Sequence, residues 1–139
     1  MTNVRIENVE FRDAAQTFLE PHSVPSCGDW ALQRTAAIFA EGTENFTVHN
    51  CTFIRMDGNA FMLSRYNRYA TVSESEFAYI GDTAMAAWGW TDELSNNGML
   101  GYDATSGEFP RYTTITKNIV REVGIWEKQS SKCCFLFDL

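Results

Sequence analysis

The chain has few basic residues and no long apolar run. Eleven Lys and Arg residues stand against 18 Asp and Glu residues, which gives a net charge of −7 over 139 residues. This balance opposes binding to a phosphate backbone, so nucleic acid is not an expected partner. Apolar runs stay short of the roughly 18 residues that a membrane span requires. The first residues also lack the apolar core of a signal peptide.

Cysteine and histidine form no recognisable site in the sequence. The four cysteines lack the spacing of a zinc site, and the two histidines, His22 and His49, are far apart along the chain. We can trace no phosphate-binding glycine loop and no arrangement of Ser, His and Asp for nucleophilic catalysis. Spacing alone therefore identifies no set of metal ligands, and the cofactor is left open. A disulfide from Cys27 is left open, and Cys51 is expected to be a buried thiol.

The chain does contain a repeat. In four segments an aliphatic residue is followed, five positions later, by a large apolar residue. The separation from Val48 to Val72 is 24 residues, and so is that from Phe53 to Phe77. Apolar and polar residues alternate in these segments, which favours β-strands over helices. The segments are 3–11, 45–53, 69–77 and 112–120.

A strand repeat of 24 residues predicts a stack of parallel coils, in which each strand pairs with its equivalent about 4.8 Å away. Inward side chains then form columns along the stack. In the third column we expect Asn118 to bond backbone groups at a corner. The columns are Ile6, Val48, Val72 and Ile115; Phe11, Phe53, Phe77 and Val120; and Val9, Cys51, Ser75 and Asn118.

Two insertions interrupt the predicted repeat. Treating 14–34 as an insertion places residues 35–39 over residues 59–63. The second insertion, 91–111, is rich in Asn, Gly, Ser and Asp and is expected to form a surface loop. Both are expected to leave the coil at comparable positions, which makes them first candidates for a binding face. We expect one domain over 1–131, followed by a divergent tail over 132–139.

Several longer segments carry a resemblance to a known family. Together they resemble the right-handed parallel β-helix proteins of the pectin-lyase-like superfamily, and the similarity covers nearly everything from residue 3 to residue 131. The resemblance implies an all-β solenoid of about four coils. That superfamily includes polysaccharide lyases, hydrolases, epimerases, adhesins and phage tailspikes, so fold alone does not define an activity. The segments are 28–34, 57–60, 66–68, 80–89 and 124–131.

The C-terminal end departs from the family pattern. Relatives continue through more coils after the segment that resembles 124–131, whereas here the chain runs into a short apolar tail. Because a β-helix must cover its terminal coil, we expect this chain to be a fragment of a larger member. Two acceptor patterns for N-glycosylation, at Asn45 and Asn50, agree with an extracellular or secretory parent protein.

Two carboxylates are candidate catalytic residues. The resemblance implies lyases that hold Ca²⁺ with carboxylates beside a Lys or Arg base, or hydrolases with grouped aspartates. The 24-residue repeat places Asp57 over Gly81 and Gly58 over Asp82, so that Asp57 and Asp82 share one corner. The alternative is a structural role, in which an Asp beside a Gly bonds backbone N–H groups at the corner. Ca²⁺ is implied by the resemblance only.

Aromatic and basic residues are candidates for substrate binding. Trp88, Trp90 and Trp126 offer flat faces on which sugar rings stack, and Arg65 and Arg68 would attract an acidic polymer locally. The alternative for the tryptophans is that they shield the core at the edge of a coil. Two classes of function follow: part of an extracellular carbohydrate-active β-helix that acts on a polysaccharide, or a non-catalytic β-helix module for recognition or scaffolding.

Overall fold

The computed structural model describes residues 1–15, 22–23, 32–33, 35–89, 107–127 and 133–135, and in these ranges all regular structure is β-strand. None of the described residues forms a helix that is long and apolar enough to cross a membrane. The strands are β1 (Arg5–Glu7), β2 (Glu10–Arg12), β3 (His22–Ser23), β4 (Leu32–Gln33), β5 (Ile38–Glu44), β6 (Thr47–His49), β7 (Thr52–Met56), β8 (Phe61–Arg68), β9 (Thr71–Ser73), β10 (Glu76–Ile80), β11 (Met85–Trp88), β12 (Pro110–Arg111), β13 (Thr114–Thr116), β14 (Ile119–Val123) and β15 (Cys133–Phe135).

The strands form three stacked parallel sheets. The first has the order β1-β6-β9-β13, the second β2-β7-β10-β14, and the third β12-β8-β11-β15, with β5 also paired to β8. The chain visits the first, second and third sheets in the same order each time, and we call one such circuit a pass. Only β3 and β4, within the described residues, pair antiparallel. The prediction of an all-β chain with parallel strands is confirmed.

The predicted 24-residue register is confirmed in the middle of the chain. Val48 pairs with Val72 in the first sheet, and Phe53 pairs with Phe77 in the second. Phe61 pairs with Met85 in the third. The predicted columns also extend to the first segment, at a separation of 42 residues, since Ile6 pairs with Val48 and Phe11 with Phe53. Side chains of one column therefore do lie in adjacent strands.

The predicted register of β5 is wrong by one residue. Ile38 pairs with Phe61 rather than with Met62, and the offset returns to 24 only where Thr43 pairs with Asn67. The shift falls between Glu41 and Thr43, opposite one extra residue in β8. Since a slip of one residue exchanges the two faces of a strand, Phe39 points away from the core and is 47% exposed.

The core lies between the three sheets and contains the predicted columns. Phe53 and Phe77 are fully buried, with ring centroids 4.6 Å apart, and Phe11 stacks on the other face of Phe53 at 5.0 Å. Asn118 bonds the backbone as expected, since its Nδ2 donates to the carbonyl of Val72 and its Oδ1 accepts from the N–H of Ser75.

One member of the third column is not in the core. Val9 is 40% exposed, although its backbone carbonyl accepts from Thr52 N–H at 3.0 Å as the column requires. Its equivalent in the next pass, Cys51, is buried. Val9 belongs to the first described pass, so strands flank it on one side of the stack only. The predicted inward position is therefore wrong for this residue.

Three corner positions in each pass take a left-handed backbone conformation without glycine. They are five residues apart, with φ between 49° and 59°. The first two rows flank the strands of the first sheet, whereas the third row lies within strands of the second sheet, except at Asp13, one residue before each strand ends. Asparagine tolerates this region best, and it occupies four of the positions. The three rows are Asn3, Asn45, Tyr69 and Tyr112; Asn8, Asn50, Glu74 and Lys117; and Asp13, Arg55, Tyr79 and Glu122.

The corner side chains contact their equivalents in the next pass. Asn45 donates to Asn3 at 3.1 Å, and Asn50 donates to Asn8 at 2.6 Å. Lys117 lies 3.2 Å from Glu74 in the same row. These contacts are exposed, so each stabilises the fold only slightly. Their main effect is that each corner presents a row of side chains at the spacing of the strands.

The two predicted insertions do not leave the stack at comparable positions. The first, 14–34, lies between a strand of the second sheet and β5 of the third, and most of it is outside the described residues. The second interrupts the third sheet itself, because β11 and β12 pair with the two halves of β8. Its predicted end at 111 falls inside β12. The predicted tail, 132–139, contains β15, whose backbone pairs with β11.

Candidate functional site

Asp57 and Asp82 lie at the corner between the second and third sheets, but in different environments. Asp57 is exposed, and pairing of Met56 with Ile80 places it next to Gly81 as predicted. Asp82 is buried, and its Oδ1 accepts from the hydroxyl of Thr83 at 3.2 Å. Its backbone carbonyl accepts from Gly124 N–H at 3.0 Å. The side-chain bond joins Asp82 to a hydroxyl group and the second bond is made by its backbone, so the role predicted for Asp82 stays a prediction.

Trp126 lies at this same corner, one pass further along the stack. Its backbone N–H donates to the carbonyl of Gly81 at 2.9 Å, and the residue is 64% exposed. A Cβ atom added to Gly81 would lie 2.5 Å from Trp126 Cδ1 and 2.1 Å from the carbonyl oxygen of Asp57. The indole and the Asp57 backbone therefore approach closely only because residue 81 has no side chain.

We call this group the Trp126 corner, and it consists of Asp57, Gly81, Asp82, Trp126 and Glu127. Glu127 is exposed, and its N–H also donates to the carbonyl of Gly81, at 3.0 Å. The structure thus brings together one predicted catalytic residue that is accessible, Asp57, and one predicted sugar platform that is accessible, Trp126. An exposed indole offers a flat face on which a sugar ring can stack.

Trp88 is in a different place and is not accessible. It pairs with Ser64 in the third sheet as predicted, but only 1% of its surface is exposed. It packs with Met62 and Ala86 on the outer face of that sheet, and Ala36 lies against the same cluster. This burial agrees with the shielding alternative. Trp90 lies outside the described residues.

Arg68 is used by the protein's own backbone. Its guanidinium donates to the carbonyls of Phe109 at 2.6 Å and Gly107 at 3.1 Å, so it holds the segment that leads into β12. The guanidinium also lies over the Tyr66 ring, 4.2 Å from its centroid. Arg65 is partly exposed and lies 3.7 Å from a Glu41 oxygen. Both arginines thus have internal partners.

The structure places Arg68 far from the predicted carboxylates. Asp57 precedes β8, whereas Arg68 is the last of the eight residues in that strand. Eight residues of strand span roughly 26 Å. Lyase chemistry of the kind implied by the resemblance needs the base beside the carboxylates. Among the described residues, moreover, no group of three or more His, Cys, Asp or Glu side chains is placed to hold a metal ion such as Ca²⁺.

A hydroxyl and an imidazole that sequence reasoning did not connect lie on the outer face of the first sheet. His49 Nδ1 is 3.0 Å from Ser73 Oγ, and Glu7 pairs with His49 in the adjacent strand. The neighbouring backbone N–H groups of Asn50 and Glu74 donate to carbonyls of the next pass. They are therefore not available to stabilise an oxyanion, and we interpret this row as cross-strand polar pairing.

An exposed pair of tyrosines was also missed from the sequence. Tyr69 and Tyr112 stack with centroids 5.0 Å apart and planes 15° apart, and the Arg111 guanidinium lies 5.0 Å from the Tyr112 centroid. Both tyrosines are more than half exposed. One face of each ring contacts the other ring. The signal was available in the aligned segments 69–77 and 112–120, since these two tyrosines are their first residues.

The hydroxyl of Tyr66, in β8, can be titrated to test its hydrogen bond to Glu44 at the end of β5. It donates to Glu44 Oε1 at 2.5 Å, and this bond, with a smaller effect of desolvation, raises the pKa of Tyr66 above its ordinary value. The neutral phenol is thus favoured in the folded state. Its contribution to stability is present below the ordinary pKa of tyrosine and is lost as pH rises through the raised pKa.

We expect Glu44→Gln to lower the pKa of Tyr66 toward the ordinary value, because the charged acceptor is removed. The measurement is a near-ultraviolet absorbance titration, in which subtraction of the Tyr66→Phe curve isolates this one phenol. An unchanged Tyr66 titration in Glu44→Gln would contradict the assigned hydrogen bond.

The accessible part of the predicted site is therefore the Trp126 corner, while Trp88 and Arg68 serve the fold. Two of its exposed residues, Asp57 and Trp126, were predicted from the sequence, and Glu127 joins them through a backbone bond to Gly81. No protein-family model, no curated protein and no solved structure matches the chain.

Proposed function

We propose that the chain is a right-handed parallel β-helix of the pectin-lyase-like kind and that it recognises glycans without cleaving them. The fold part of the proposal is supported by three parallel sheets that the chain visits in a constant order, with a 24-residue register between adjacent strands. A chain that climbs about 4.8 Å per pass through three sheets has the form of a solenoid.

The exposure of Trp126 carries the functional part. Buried tryptophans are common in cores, but a tryptophan that is 64% exposed leaves much of its ring available to a ligand. Its backbone is fixed by the bond to Gly81, so little conformational entropy is lost when a sugar ring stacks on it. The carboxylate of Asp57, on the same corner, adds an acceptor for sugar hydroxyls.

Recognition is favoured over catalysis by the placement of the polar residues. Asp82 is buried and bonded to Thr83, and Arg68 is bonded to backbone carbonyls at the far end of β8. A pair of carboxylates or a carboxylate with a base is needed for lyase or hydrolase chemistry. An extracellular location belongs to the same proposal, supported by exposed corner positions for the acceptor residues Asn45 and Asn50.

The test is affinity electrophoresis in gels that contain dissolved polysaccharides. We expect one or more glycans to retard the wild-type protein, and Trp126→Ala to bind about tenfold more weakly, because a lost stacking contact is worth about 1.4 kcal/mol. Tyr112→Ala, which removes another exposed aromatic ring far from the corner, should be retarded like the wild type. Equal retardation of Trp126→Ala and wild type would reject Trp126 as the platform.

A further inference from the structure

The first and last described passes leave the edges of two sheets open. Within the described residues, β1 and β2 form what we call the first edge, β13 and β14 form the last edge, and each of these strands pairs on one side only. Val9 and Ile119, at opposite edges, are 40% and 61% exposed. The end members of two core columns are only partly buried, whereas their equivalents in the passes between are 0% exposed. These end members are Ile6 and Phe11 at the first edge, and Ile115 and Val120 at the last edge.

The first edge presents backbone N–H groups. In each later pass, the residue equivalent to Glu10 donates its N–H to the preceding pass, at 2.9 or 3.0 Å. The Glu10 N–H has the same direction in the repeat, and no described strand precedes it in its sheet. The same holds for the N–H of Arg5. The equivalent donors are Thr52, Glu76 and Ile119 for Glu10, and Thr47, Thr71 and Thr114 for Arg5.

The last edge presents the matching carbonyls. In the same two rows, a carbonyl of each pass accepts from the pass that follows. The carbonyls of Asn118 and Thr113 are next in these rows, so they point away from the stack. The acceptors before them are Val9, Cys51 and Ser75 for Asn118, and Val4, Phe46 and Ala70 for Thr113.

The two edges fit each other because they belong to one repeat. We propose that the chain docks end to end with a second copy of itself, the first edge of one copy against the last edge of the other. Glu10 and Arg5 of one copy then donate to the carbonyls of Asn118 and Thr113 of the second. Both sets of backbone groups gain the partners that their equivalents have in the inner passes.

Docking also continues the core columns from copy to copy. The ring of Phe11 is stacked on Phe53 on one face only, and Val120 of the second copy covers the other face. Ile115 covers Ile6 in the same way. Apolar side chains that are partly exposed in one copy are therefore buried in the pair, which favours association.

Charge contributes little to this contact. Arg12 of one copy lies opposite Arg121 of the other, but each is already paired within its own copy, Arg12 with Asp13 at 2.9 Å and Arg121 with Glu76 at 2.7 Å. Association is therefore expected to persist at high salt. Because the two surfaces in contact differ, a docked pair still has one first edge and one last edge free, and association is not limited to a dimer.

Sedimentation velocity at increasing protein concentration tests the proposal. We expect the sedimentation coefficient of wild type to keep rising with concentration, at low and at high salt. Glu10→Pro removes the N–H that points out of the first edge, and Ile119→Glu places a carboxylate opposite Glu10 of the second copy. Each should weaken association roughly fivefold or more. Tyr79→Glu puts the same charge at an exposed position of an inner strand, so it should associate like wild type.

A mixture of the two weakened variants tests the polarity of the contact. Glu10→Pro retains an intact last edge and Ile119→Glu an intact first edge, so the mixture should form a dimer as its largest species. Wild type that stays monomeric at every concentration would overturn the proposal. Association that neither variant weakens, or that Tyr79→Glu weakens equally, would also overturn it, because the contact would then lie elsewhere. Circular dichroism of each variant establishes that it has folded.

Discussion

Replacing Phe53 by alanine is expected to lower the free energy of unfolding by about 4 kcal/mol. Phe53 is fully buried in the middle of the second-sheet column, and its ring is stacked between Phe11 at 5.0 Å and Phe77 at 4.6 Å. The substitution removes the apolar area of one ring and leaves a cavity that the strands on either side cannot close, because their spacing is fixed by backbone hydrogen bonds.

Phe11→Ala is the matched control for this prediction. Phe11 is only partly buried and has one stacked neighbour, so we expect about half the loss. Denaturant unfolding followed by tryptophan fluorescence measures both. Equal losses for the two variants would contradict the central position of Phe53 in the column.

Gly81→Ala is expected to cost about 3 kcal/mol, at the upper end for overpacking, although it adds a single methyl group. The new Cβ would lie 2.1 Å from the Asp57 carbonyl oxygen, which is a backbone atom that cannot rotate away. It would also lie 2.5 Å from Trp126 Cδ1. We therefore expect the variant to displace Trp126 as well, and its tryptophan fluorescence and its glycan retardation should both change.

Gly42→Ala is the control for Gly81→Ala, because it tests the cost of an unfavourable backbone conformation without a steric clash. Gly42 has a left-handed φ of 66°, and a Cβ there meets no atom within 4 Å. We therefore expect alanine at this position to lower the free energy of unfolding by about 1 kcal/mol, through the left-handed conformation alone. The same unfolding measurement applies to both variants. A loss in Gly81→Ala no larger than in Gly42→Ala would contradict the close approach at the Trp126 corner.

The parts of the fold that could be read from the sequence are those in which one residue type repeats at one spacing. Phe53 and Phe77 can be matched in the sequence because both are core positions in adjacent strands, and no insertion interrupts the 24 residues between them. The register of β5 could not be read in the same way. Its offset depends on an extra residue in β8 near Arg65, whose φ of 54° is not suggested by its residue type.

The candidate site was predictable in composition but not in exposure. Trp88 and Trp126 are equivalent as sequence signals, yet one is 1% exposed and the other 64%. Trp88 is on the outer face of the third sheet, where alternation predicts contact with solvent, and only the packing of other residues over that face determines its burial. Likewise, nothing in the pattern shows that Arg68 bonds the carbonyls of Gly107 and Phe109.

The left-handed corner residues have a consequence for how such a protein can change. Asn, Asp, Arg, Tyr, Glu and Lys all occupy equivalent corner positions with nearly the same φ. Their side chains point outward, so a substitution there leaves the Phe and Val columns unaltered. At these positions the surface can therefore vary while the core stays constant, and differences in surface chemistry among such chains are expected to accumulate there.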